Sequence, residues 1–113
     1  MKQTFGQTLK VLRQSKNFSQ RELAKKAGVD FTYISKLEND RLPPPAVDTV
    51  VRFAEILEAP EDVLLALAGK LNSDLKDIIT NSPEALKFLN EAKGMGLTSD
   101  EWGLLTKNLK NLR

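Results

Sequence analysis

The sequence contains no cysteine and no histidine. The first absence removes disulfide frameworks and thiolate chemistry. The two together remove zinc sites of the common Cys/His types and catalysis by Ser-His-Asp or Cys-His groups. No glycine loop of the phosphate-cradling kind and no clear carboxylate dyad take their place. The expectation is therefore no enzyme, no cofactor and no metal site. No segment has the apolar run needed to cross a bilayer, and the opening MKQTFGQTLKVLRQ has no signal-peptide core. A cytoplasmic protein with no membrane partner is expected. No segment reads as a convincing strand. At 113 residues and 41% hydrophobic content, the chain has enough apolar material for one compact domain and a modest appendage, and too much for a disordered chain.

The net charge of +2 hides an uneven distribution. Residues 1–41 hold nine Lys/Arg against four acids, a balance of +5, and the remainder is −3. A basic half of this kind is the electrostatic footprint of a nucleic-acid-binding face once a suitable motif accompanies it.

That motif lies in Gln20 to Asn39, QRELAKKAGVDFTYISKLEN. The stretch predicts two short helices around a tight turn. Ser19 and Glu22 form an S-x-x-E capping box at the start of the first helix. Ala24 is small where the two helices must touch. Gly28 follows that helix, where the chain enters the left-handed region. Asp30 is placed to cap the second helix, and Val29, Ile34 and Leu37 turn inward. The layout is a helix-turn-helix, whose second helix is shaped for a DNA major groove.

Around it the spacing predicts a first helix from Phe5 to Lys16, with Phe5, Leu9 and Leu12 on its inner face. Pro43, Pro44 and Pro45 enforce an extended stretch. A fourth helix follows over 46–58 with Val47, Val50, Val51, Ala54 and Leu57 inward. A fifth runs to about Ala68, with Pro60 in its first turn. The fold class is all-α, with a helix-turn-helix domain over 1–69. A linker at 70–81, with room for a short helix, leads to a C-terminal helical hairpin over 82–113. Ser82-Pro83-Glu84 starts the hairpin, Gly94-Met95-Gly96 breaks it, and Thr98 and Glu101 form a second capping box. Two helices of this length cannot bury Leu86, Phe88, Leu89, Trp102, Leu105, Leu109 and Leu112 between them. Each large side chain left wet forfeits about 1.5–3 kcal/mol. Either the hairpin folds back on the first domain or it pairs with a second copy; the seam Leu86, Leu89, Trp102, Leu105, Leu109, Leu112 suits pairing into a homodimer.

Over residues 5–68 small, glycine, apolar and polar positions recur together: Ser19-Gln20-x-Glu22-Leu23-Ala24, Gly28-Val29, Ile34-Ser35-Lys36-Leu37-Glu38-Asn39, then Arg41-Leu42 and the prolines. This string resembles the DNA-binding domain shared by phage lambda Cro, the cI-type repressors and the bacterial Xre-like family. The resemblance implies a five-helix lambda-repressor-like domain that binds double-stranded DNA as a sequence-specific transcriptional regulator. It implies base reading by Phe31, Thr32 and Lys36, with Tyr33 and Ser35 as further candidates. Phe31 has a second reading, as an aromatic leaning on the domain. The implied phosphate contacts are Gln20, Asn39 and Arg41, with Arg21, Lys10 and Arg13 added. Arg13 and Glu38 are the implied structural ion pair. The overall plan is similar to that of the SinR-type regulators, whose C-terminal hairpin serves subunit pairing or the binding of an antagonist. A protein partner on the hairpin, an antagonist or a toxin, is the alternative expectation.

Overall fold

The computed structural model describes residues 3–113. Eight α-helices are found among the described residues: α1 (Phe5–Ser15), α2 (Gln20–Ala27), α3 (Phe31–Glu38), α4 (Val47–Leu57), α5 (Glu61–Leu67), α6 (Ser73–Asn81), α7 (Pro83–Met95) and α8 (Ser99–Leu109). None is long and apolar enough to cross a membrane. The chain divides into two compact units, a first ending at Asn72 and a second over Ser73–Arg113.

In the first unit α1 packs on α3, α2 on both α3 and α4, and α4 on α5. Phe5, Leu9, Leu23, Ile34, Leu37, Val50, Phe53, Leu57, Leu64 and Leu65 form its core. The inward face of α4 is Val50, Phe53, Ala54 and Leu57. Val47, expected on that face, is 40% exposed, while Phe53 is fully buried. The aromatic side chain claims the centre of the core, and the stripe is turned to suit it.

Local chemistry sets the helix ends. Thr4 caps α1 through a reciprocal box with Gln7, and Ser19 caps α2 through the expected box with Glu22. Gly28 ends α2 at φ 70°, where a side chain would be strained. Arg52 from α4 donates to the Ala27 carbonyl at 2.9 Å, which satisfies an orphan acceptor at the same end. Asp30 occupies the N-cap position of α3 but makes no side-chain capping bond. The expected cap contribution is therefore missing, and the carboxylate is left exposed at the helix start.

The Glu22 box is pH-sensitive. The Ser19 backbone N–H that donates to it, with the Ser19 hydroxyl and Lys26 adding to the effect, holds its carboxyl below the usual 4.5. The unfolded chain takes up this proton before the folded one does. The linked stability is therefore present above the usual value and lost as pH falls through the lowered one. Glu22→Gln keeps a capping-box side chain and removes the titration. Urea midpoints measured between about pH 5 and 3 are expected to fall less steeply for the variant than for the wild type. Parallel curves would show that this link is absent.

In the second unit α6 packs on α7. The stretch 70–81, expected as a linker with room for a short helix, contains the nine-residue α6, which groups with the hairpin side of the chain. Ser82 caps α7 with Pro83 in the first turn, and Thr98 and Glu101 cap α8 reciprocally.

Candidate nucleic-acid interface

α3 is held in the first unit by two polar ties besides its apolar face. Arg13 on α1 grips Glu38 at the end of α3, Nε to Oε2 at 2.7 Å and Nη2 to Oε1 at 3.0 Å. Both side chains are buried, at 10% and 1% exposure. The remaining Arg13 nitrogen donates to the Phe18 carbonyl at 2.8 Å, and Gln20 Nε2 donates to Glu38 Oε1 at 2.9 Å. One network thus joins α1, the loop before α2, the start of α2 and the end of α3.

A second tie lies at the α1 N-terminus. Thr4 Oγ1 donates to Asp40 Oδ1 at 2.8 Å. Beside it α1 approaches α3 so closely that a Cβ on Gly6 would sit 2.0 Å from the Leu37 carbonyl oxygen. Only glycine allows this approach. Asn39 closes α3 by donating to the Ser35 carbonyl at 2.9 Å.

So held, α3 leaves Thr32 and Lys36 exposed and Ser35 half-buried. Thr32 and Lys36 are four residues apart and share one helical face. A hydroxyl and a primary ammonium there supply an adaptable donor/acceptor and a cation able to donate to guanine O6 and N7. Phe31 and Tyr33 are half-buried and pack against the core, and burial pushes the Tyr33 phenol up. Phe31 thus leans on the domain with part of its ring still exposed.

Lys10, Arg21, Asn39 and Arg41 are exposed, as phosphate contacts require. Arg13 is buried, with each guanidinium nitrogen making one bond inside the unit. Gln20 keeps one amide N–H beyond its bond to Glu38, together with its place at the N-terminus of α2. Lys25 and Lys26 add exposed positive charge at the end of α2. Two features of this face were not read from the sequence. The Thr4–Asp40 bond spans 36 positions and has no local signature. Gly6 sits inside an ordinary amphipathic helix, where nothing local marks it as a contact point.

The second unit presents apolar surface. Leu86, Phe88, Trp102, Leu109 and Leu112 are exposed at 41–76%, Leu89 at 37%, and Leu105 is half-buried. Leu104 and Met95, outside the expected seam, are also exposed. A groove of about 400 Å³ is lined by Phe88, Trp102, Leu105, Thr106, Asn108, Leu109 and Leu112. Another of about 310 Å³ lies against Phe88, Ala92, Met95, Leu97, Leu104 and Leu105, with Glu91 and Glu101 at its edge.

Comparison with known proteins bears directly on this geometry. A helix-turn-helix domain family model matches residues 4–67, more than half of the chain. The uncharacterised HTH-type transcriptional regulator RghRB of Bacillus subtilis is 32% identical over 74 residues, which cover 66% of this chain and 53% of that protein. The chain thus spans about half of RghRB. The HTH-type transcriptional repressor RghR of the same organism is 27% identical over 113 residues, covering 93% of this chain and 82% of RghR. Among solved structures, SinR, the master regulator for biofilm formation, in complex with DNA matches with a TM-score of 0.52 and 32% identity. That match covers 55% of this chain and 98% of the SinR chain.

Proposed function

The chain belongs to the helix-turn-helix domain family, and on that footing we propose that it is a sequence-specific DNA-binding transcriptional regulator acting as a homodimeric repressor. The observation that carries this reading is the pose of α3. A buried network and a glycine contact fix it, while Thr32 and Lys36 stay exposed on one face within the basic first 41 residues. The relatives RghR and RghRB bear the names of transcriptional regulators, and SinR is solved with DNA bound.

In this reading α3 enters the major groove, and Thr32 and Lys36, flanked by Ser35 and Tyr33, supply the sequence preference. Gln20, Arg21, Lys10, Asn39 and Arg41 meet phosphates, which gives salt-dependent affinity without base information. The apolar face of α7 and α8 pairs with its copy, through Leu86, Leu89, Trp102, Leu105, Leu109 and Leu112. Pairing sets two α3 helices about 34 Å apart on a pseudo-palindromic operator. Repression follows from occupying the site in the cytoplasm, without catalysis.

The test is a binding titration on duplexes selected by the wild-type protein. Lys36→Ala and Thr32→Ala are each expected to weaken binding by about 1–3 kcal/mol and to relax preference at one base pair per half-site. Wild-type affinity and unchanged preference in both would sink this placement of the reading face.

The grooves of α7 and α8 support a second reading, in which an antagonist or toxin protein docks on the hairpin. The two readings separate by competition: a partner that uses the self-pairing face dissociates the dimer as it binds.

A further inference from the structure

Arg21, near the start of α2, holds its guanidinium carbon 4.4 Å from the centroid of the Phe31 ring at the start of α3. That is well inside the roughly 6 Å over which an aromatic face attracts a cation. Phe31 also packs against the core. The ring is therefore braced by the domain and carries the guanidinium over it. Arg21 is exposed and makes no hydrogen bond or ion pair among the described residues. Glu22 beside it is committed to the Ser19 cap. The five N–H donors of Arg21 are thus unspent, in a planar fork that matches a phosphate. An exposed arginine ordinarily surrenders rotamer freedom when it binds. One already stacked on a ring surrenders less.

We propose that Phe31 is a positioning residue. It holds Arg21 as a preformed phosphate clamp at the junction of α2 and α3, and so raises affinity for the DNA backbone without itself reading a base. The proposal rests on the DNA-binding reading above and departs from the base-reading role expected of Phe31.

The experiment titrates the full-length protein against a duplex selected by the wild type, from about 50 to 200 mM salt. The variants are Arg21→Gln, Phe31→Leu, Phe31→Tyr and the double Arg21→Gln/Phe31→Leu. Arg21→Gln and Phe31→Leu are each expected to weaken binding about fivefold, and Arg21→Gln to lower the salt slope by about one. The double variant should bind no more weakly than Arg21→Gln alone, and Phe31→Tyr should bind like the wild type. The rank order of single-base-substituted duplexes should be the same for all. A fold defect in Phe31→Leu would act equally with and without Arg21, so losses that multiply in the double variant overturn the proposal. A reordered base preference for Phe31→Leu also overturns it, because the ring would then be reading a base. A wild type that selects no duplex at all removes the DNA-binding reading, and this proposal with it.

Discussion

Glu38→Ala is expected to cost the first unit about 3–5 kcal/mol of stability, because it strands the Arg13 guanidinium inside the protein. A domain of this size has about 5–15 kcal/mol in total, so a large share of the fold goes with one carboxylate. The pair is buried on both sides. Removing Glu38 also leaves Gln20 without the acceptor that its amide meets at 2.9 Å. Urea denaturation followed by helical circular dichroism measures the loss. Arg13→Met combined with Glu38→Leu removes both charges together and should recover most of it, since paired apolar replacement of a buried ion pair is often neutral. That recovery separates a stranded charge from a simple packing defect. The double variant is then informative about DNA. If the pair only holds α3 in place, a stable Met/Leu protein regains operator binding. If Arg13 contacts phosphate, binding stays weak while stability returns. The engaged nitrogens of Arg13 argue for the first outcome.

The second large effect is on assembly. Trp102→Ala with Leu105→Ala removes two of the larger apolar groups from the face of α7 and α8, where Trp102 is 41% exposed. Sedimentation should give a dimer for the wild type at micromolar concentration and a monomer for the variant. Operator affinity should fall by about two to four orders of magnitude, because the second half-site is no longer held at high effective concentration. Single half-site affinity should be unchanged, since neither residue belongs to the first unit. A wild-type chain that sediments as a monomer at high micromolar concentration contradicts the pairing. So does a variant that loses half-site binding as well.

Much of the architecture was legible in the sequence where its cause is local. The capping boxes at Ser19/Glu22 and Thr98/Glu101, the left-handed Gly28 and the proline start of α7 all depend on neighbours within four positions. The Thr4/Gln7 box has the same local signature and was open to the same reading. What escaped depends on three-dimensional neighbours. The rotation of α4 is decided by Phe53 filling the core, which no spacing of valines reveals. Asp30 has the right residue type at the right position, yet its side chain makes no cap. The Arg13–Glu38 pair was expected, but the third arm of the guanidinium, on the Phe18 carbonyl, has no sequence signature. The partnership of Arg21 with Phe31 joins residues on different helices, and each alone reads as an ordinary surface candidate. The scaffold was thus easier to read than the division of labour on its surface.

The most direct measurement is selection of duplexes from a random library by the purified wild-type protein and by Lys36→Ala in parallel. The expected result is a two-fold symmetric site with half-sites about one helical turn apart, whose preference relaxes at one symmetric position in the variant. Failure to enrich any sequence, or recovery of the same site with the same preference by both proteins, would contradict a DNA-reading role for α3.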